Sequence, residues 1–384
     1  VKRWLLLFLA VPLLGGCSWF KSKDPDQPAE LVDFNATLKV GKIWSTDAGA
    51  GLDKAGRQIR PVFLAGTLYT ADYKGQLVAI DAGNGKKLWD VKTKLPFTGG
   101  PGIGPQHVYV GTEDGEVYAF DAKSGSQLWS ATVTSEVLAA PTEQDGIVVV
   151  RCIDGRIFGL NADTGRRLWV YDHSVPLLTL RGNAPLLLRG GVIFVGYDGG
   201  QVVALRLDDG TLMWEQALVP GEGRTELERL SDIDGQLVFI ASDLLVASYQ
   251  KRLASLAADS GRLLWFKDIS SATGVSVERT HLAISDKEGN VWLLDRRNGA
   301  ESWKQDQLLR RGLTRPVFYG ALVVVGDAEG YLHWINVGDG HFAARTKVGG
   351  DGFAGPPLVV GNTLYVMTRK GRLLAYRAGA ALKK

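Results

Sequence analysis

One ten-residue unit recurs along the chain and constrains its fold more than any other feature. "IDAGNGKKLW" ends at Trp89, "FDAKSGSQLW" at Trp129, "LNADTGRRLW" at Trp169, "LRLDDGTLMW" at Trp214, "LAADSGRLLW" at Trp265 and "LDRRNGAESW" at Trp303. A seventh copy, "INVGDGHFAA", keeps the turn but has Ala344 in the tryptophan position. From Trp89 the steps are 40, 40, 45, 51 and 38 residues, with 41 more to Ala344. A period of about 40–45 residues with several short strands per repeat predicts propeller blades.

The strands are visible within one repeat. "RPVFL" (60–64), "TLYTADY" (67–73), "QLVAID" (76–81) and "KKLWDVK" (86–92) are β-branched and aromatic runs separated by glycine turns. No stretch keeps helical apolar spacing long enough for a convincing helix, so the chain reads as all-β. The 48 glycines fit a turn-rich fold. In the recurring turn, Asp121 can accept backbone N–H groups. Gly125 falls where the hairpin needs positive φ. Each tryptophan then sits on an outer strand, where a ring can fill the wedge between blades that diverge outward; burying an indole removes about 150–250 Å² from water. "GGPGIGP" (99–105), by contrast, reads as a connecting loop.

Counting repeats predicts how the ring closes. After Ala344 come three more strands, "GPPLVVG", "TLYVMTR" and "RLLAYRAG", but no fourth. The missing strand has a candidate at the other end, "LKVGKIWSTDAG" (38–49), whose Trp44 lies 45 residues before Trp89. The expectation is an eight-bladed β-propeller of four-stranded blades over 35–384, closed by the N-terminal strand, with Trp44, Trp89, Trp129, Trp169, Trp214, Trp265 and Trp303 docking blade on blade. Ala344 is expected to weaken the packing of one blade.

The N-terminus has a different character. Lys2 and Arg3 precede the apolar run "WLLLFLAVPLL", and "LGGC" closes it. The run is too short to span a bilayer stably and fits a signal peptide over 1–16. Gly15 and Gly16 before Cys17 resemble the bacterial lipobox, which implies acylation of Cys17 and a lasting membrane anchor. Ser18 rather than aspartate after the cysteine implies the outer membrane as the address. Residues 17–34, with the polar stretch "SWFKSKDPDQPAE", read as the acylated cysteine and a flexible tether. Cys152 is the only other cysteine, so no disulfide framework is expected. It reads as a small buried side chain.

Chemistry is sparse. His107, His173, His281, His333 and His341 lie in different repeats without metal-ligand spacing. A formal charge of +3 argues against nucleic acid, since no concentrated basic face accompanies it. The turn unit resembles the tryptophan-docking repeat of pyrroloquinoline-quinone (PQQ) dehydrogenases, but the adjacent cysteine pair that such enzymes set against the cofactor is missing. The reading is therefore a non-enzyme without cofactor or metal. A periplasmic PQQ-dependent dehydrogenase-like enzyme and a polysaccharide-binding propeller are the alternatives.

The repeats ending at Trp214 and Trp265 take 45 and 51 residues against a baseline of about 40, and part of the excess falls in "SVPLLTLRGNAP" (174–185) and "VPGEGRTELERLSDID" (219–234). Both join an outer strand to the next inner strand, so both should emerge on one face, and long loops on a rigid scaffold are where binding usually resides. The lipobox, the eight-bladed tryptophan-docking propeller, "LTLRG", "ERLSDID" and "VVGDAEGYLHWIN" (324–336) together resemble the BamB family, lipoproteins of the bacterial outer-membrane β-barrel assembly (Bam) complex. That resemblance implies a non-catalytic scaffold on the periplasmic side of the outer membrane. Its implied partners are the POTRA domains of BamA, the other Bam lipoproteins through the complex, and unfolded outer-membrane proteins. It also implies that Leu178, Leu180, Arg181, Asp232 and Asp234 contact BamA.

Overall fold

The computed structural model describes residues 27–52, 58–175, 184–218, 232–249 and 252–381. Among them all regular structure is β, arranged as eight sheets in sequence order around a ring. Blade 1 shows the pattern: Val62–Leu64 innermost, then Thr67–Ala71, Gln76–Asp81 and the outer strand Lys87–Lys92. Each strand pairs antiparallel with the next. The middle strands carry the core. Leu77, Val78, Ala79 and Ile80 are all buried, on both faces, because each sheet packs between two neighbours.

Blade 2 departs from this pattern at its inner edge, where Gln58–Ile59 adds a short fifth strand parallel to Phe97–Ile103. This same inner strand contains most of "GGPGIGP", which is therefore part of a blade and not a connecting loop. Its glycines have a packing cause. A Cβ on Gly99 would lie 2.5 Å from the Val137 carbonyl oxygen, and one on Gly102 would lie 1.7 Å from that of Pro141. Near the axis the inner strands crowd together, and only glycine admits so close a backbone.

Closure follows the sequence expectation. Leu38–Asp47 pairs antiparallel with Arg372–Ala381, so the two ends of the chain supply the outer and third strands of blade 8. Pairing the termini removes two strand edges that would otherwise be exposed.

Seven blade interfaces share one lock. The indole N–H of Trp44, Trp89, Trp129, Trp169, Trp214, Trp265 and Trp303 donates to the carbonyl of Ala82, Ala122, Ala162, Leu207, Ala258, Arg296 and Val337 respectively, at 2.7–3.1 Å. Each acceptor belongs to the recurring turn of the next blade. The ring also lies against that turn's glycine: a Cβ on Gly125 (φ +74°) would meet Trp89 at 2.8 Å. The glycine is thus required twice, by its backbone conformation and by the neighbouring ring. Asp121 accepts the N–H groups of Lys123 and Ser124 and holds the turn in shape.

The arm before the closing strand is strapped to blade 7. The Ala29 N–H donates to the Leu309 carbonyl and the Thr37 N–H to that of Ala343, both at 2.9 Å. Phe34 packs on Phe342, with ring centroids 5.4 Å apart. Arg311 donates to the Ala29 carbonyl (2.8 Å) and Arg345 to that of Val32 (2.9 Å). Both arginines are held by residues of the "VVGDAEGYLHWIN" stretch. Arg311 also donates to Asp327 at 2.8 Å, and Arg345 to His333 Nδ1 at 3.3 Å. His333 is fully buried, and its Nε2 lies 3.0 Å from Asp327, so it is the neutral tautomer protonated at Nε2. Burial, opposed by Asp327 and aided by the two arginine charges, lowers its pKa. The stretch read as a flexible tether is fastened from residue 27 onward.

Candidate functional site

The bases of the two long connections lie near one buried arginine. The first leaves the outer strand Arg167–Tyr171 and reaches the inner strand Leu187–Arg189; the second joins Leu212–Ala217 to Val238–Ile240. Both are outer-to-inner connections and so share a face. Arg151, 1% exposed at the end of Ile147–Arg151, donates to the Ala184 carbonyl at 3.2 Å, at the end of the first connection. Its guanidinium lies over the Tyr197 ring, 5.0 Å from the centroid. Burial lowers its pKa, and Asp198, Asp234 and Asp232 nearby oppose that shift. One buried cation is therefore bonded to the end of the first connection and attracted by charge alone to the acidic end of the second.

The two aspartates of the D-x-D stretch differ in placement. Asp232 is buried and accepts the Gly199 N–H at 2.9 Å. Blade 1 explains why. There Asp72 opens the turn between the second and third strands and accepts the N–H groups of Lys74 and Gln76. Blade 4 has Tyr197 in that position, with its hydroxyl committed to the Gly155 carbonyl, so a carboxylate from the next connection caps the turn instead. Asp234 is half-buried, and its Oδ1 has no partner. Its pKa is pushed up to about 7, first by burial and then by Asp198 and Asp232. Asp198 rises to about 6, chiefly by burial.

Leu178, Leu180 and Arg181, like Cys17, lie outside the described residues. Sequence reasoning missed Arg151 and Asp198. Their signal was faint: an arginine ending a second strand and an aspartate in the turn after one, at the positions that Ala71 and Tyr73 hold in blade 1. Cys152 is a free, fully buried thiol whose pKa burial raises, as its place among apolar neighbours requires. Among the described residues no group of three or more histidine, cysteine or acidic side chains could hold a metal ion.

An eight-bladed, tryptophan-docked propeller with one elaborated face is the class that fold and site define. A family model described as outer membrane protein assembly factor BamB matches residues 38–101 and 74–305. The outer membrane protein assembly factor BamB of Pseudomonas aeruginosa is 48% identical over 375 residues, covering 98% of each chain. The crystal structure of BamB from Moraxella catarrhalis superposes with a TM-score of 0.80 at 28% identity, over 88% of this chain and 100% of that one. A quinohemoprotein alcohol dehydrogenase from Comamonas testosteroni shares the fold alone, with a TM-score of 0.69 at 15% identity over 90% of this chain and 78% of that one. The chain belongs to the BamB family. That family is one of assembly factors, and on this ground the protein is not an enzyme.

Proposed function

We propose that the chain is a lipid-anchored, non-catalytic scaffold of the outer-membrane β-barrel assembly complex. In this reading acylated Cys17 holds it on the periplasmic side of the outer membrane. The face bearing the two long connections binds the POTRA domains of BamA, with Leu178 and Leu180 giving apolar contact and Arg181, Asp232 and Asp234 fixing register. The observation that carries the reading is the union of the two connections through Arg151, Ala184 and the Asp198–Asp232–Asp234 group. It supports a single patch, because it relates the end of the first connection to residues of the second some fifty positions away. A small central cluster of this kind can dominate an interface. Within it Asp232 shapes the connection from inside, and Asp234 presents the charge.

Asp234 supplies the test, because stability and binding should respond in opposite directions. Its folded pKa, about 7, lies above the unfolded carboxylate value of 3.8, so the native state holds the proton more tightly. Stability therefore falls as pH rises from about 4 to 7, and the charged form is costly above that range. Asp234→Asn should raise the melting temperature at about pH 8, with the gain fading by about pH 4. The same variant should recover less BamA by affinity purification from solubilised outer membrane. A lower melting temperature, or unchanged BamA recovery, would refute the contact role of this carboxylate. Arg181→Glu combined with Leu180→Ala should reduce BamA recovery about thirtyfold or more; normal recovery would remove the patch as the partner site.

A further inference from the structure

Two of the seven locking turns carry a residue pair able to modify itself. The chain has two Asn–Gly pairs, Asn84–Gly85 and Asn298–Gly299, and both fall in the recurring turn. The sister turns have Ser124, Thr164, Asp209, Ser260 or Asp339 before the glycine. Glycine has no side chain to shield its amide, so its nitrogen can approach and attack the carbonyl carbon of a preceding asparagine side chain. Both asparagines are exposed. Asn84 Oδ1 accepts the Lys86 N–H at 2.8 Å, and Asn298 Oδ1 accepts that of Ala300 at 2.9 Å. Such a donor draws charge onto the oxygen and readies the carbon for attack. The nucleophile is held back, because the Gly85 N–H donates to the Asp81 carbonyl at 2.8 Å and the Gly299 N–H to that of Asp295 at 2.9 Å.

The neighbouring blade supplies the restraint. A Cβ on Gly85 would lie 2.6 Å from the Trp44 ring, and one on Gly299 2.9 Å from that of Trp265, so each indole pins its glycine. Trp44 and Trp265 also donate to the Ala82 and Arg296 carbonyls of the same turns, and the Thr46 hydroxyl donates to the Gly85 carbonyl. We infer that Asn84 and Asn298 are self-modification sites gated by the blade locks, each turning the opening of its own lock into a permanent mark. Once a lock opens, the glycine nitrogen bonds to the asparagine Cγ, the Cγ–Nδ2 bond breaks, and ammonia leaves with the glycine amide proton. Water then opens the cyclic imide, its hydroxyl going to one carbonyl carbon and its proton to the glycine nitrogen. Opening on one side gives aspartate; on the other it gives isoaspartate, whose main chain is longer by the Cβ. The longer turn displaces the glycine from the ring, so the lock does not re-form. At Asn84 that lock joins blade 8 to blade 1 and closes the ring. The inference stands independently of the BamA reading.

Peptide mapping of the folded full chain during incubation at mildly alkaline pH tests the inference, with fragmentation that separates isoaspartate from aspartate. Both asparagines should convert in the wild type, about tenfold or more slowly than in the urea-unfolded chain, because only the locally opened turn reacts. Trp44→Phe, which keeps a ring and loses the indole bond, should speed conversion of Asn84 about fivefold and leave Asn298 unchanged. Thr46→Val, a milder change that spares the ring, should act in the same direction at Asn84 alone. Trp265→Phe should do the reverse, speeding Asn298 only. Asn84→Ser combined with Asn298→Ser, the residue of two sister turns, should stop both conversions and melt like fresh wild type, whereas aged wild type should melt lower. Equal rates in the folded and unfolded chain, no conversion in any folded variant, acceleration of both sites by each variant, or an aged wild type that melts like fresh protein would each overturn the gated sites.

Discussion

Seven of the eight blade interfaces use one lock, and the eighth uses another. At the seven, an indole on an outer strand seats on the glycine turn of the next blade and donates to its backbone. The third strand leaves room for it: Ala79, Ala119, Gly159 and Ala204 stand opposite Trp89, Trp129, Trp169 and Trp214. Between blades 7 and 8 the sizes are exchanged. Ala344 stands on the outer strand and Trp334, fully buried, opposite it on the third. The reason is topological. Blade 8 is built from the two chain ends, so it has no turn between its third and outer strands on which a tryptophan could seat. Tyr319 makes the link instead. It packs edge-on to Trp334 with centroids 5.3 Å apart, donates to the Asn362 carbonyl at 2.7 Å and accepts the Ala378 N–H at 3.1 Å. Contrary to the sequence expectation, Ala344 is no packing defect. A repeat is copied as far as its partner turn is copied, and no further.

The strongest way to break the contrast is at a standard lock. Trp129→Ala should cost about 3–5 kcal/mol, by loss of transfer energy and by the cavity left behind. Trp44→Ala should cost as much, since the closing strand docks by the same bond; an unchanged thermal melt for both would refute the docking account. Restoring the repeat consensus at the eighth interface should do harm. Ala344→Trp would press a second indole on Trp334 and lower stability by about 1–3 kcal/mol. The double variant Ala344→Trp, Trp334→Ala should recover volume but not full stability, because the new ring has no turn to dock on. Full recovery of the melting temperature would show that ring volume alone governs the interface.

Smaller effects sharpen the picture. Tyr319→Phe keeps the ring contact and loses two hydrogen bonds to blade 8, for about 1–2 kcal/mol by chemical denaturation. The strap over blade 7 should respond to acid. The pKa of His333 is lowered from 6.5, so its contribution is complete above about pH 6.5 and is lost as pH falls through the folded value. Protonation at Nδ1 would also remove the acceptor that holds Arg345. The melting temperature should decline as pH falls below about 6.5, and His333→Gln should flatten that decline; identical pH profiles would show that this histidine does not couple to stability.

Much of this was legible in the chain, because the blade is a local object. Asp121, Gly125 and Trp129 lie within ten residues, and turn chemistry, strand alternation and repeat length all depend on near neighbours. The count of eight and the use of Leu38–Asp47 to close the ring followed from a missing strand. Other features required the ring itself. The glycines of "GGPGIGP" make sense only beside the Val137 and Pro141 carbonyls of the next blade. Asp232 caps a turn 33 residues earlier, because Tyr197 has left that position without a carboxylate. The stretch "VVGDAEGYLHWIN" carried a family resemblance in sequence, but its work as a clamp on residues 29–37 depends on a contact spanning about three hundred positions. Periodic sequence determines a repeating blade, since every copy solves the same local problem. The tertiary structure decides what happens where the repetition ends, at the rim, the axis and the seam, because there each side chain answers to neighbours that the period does not specify.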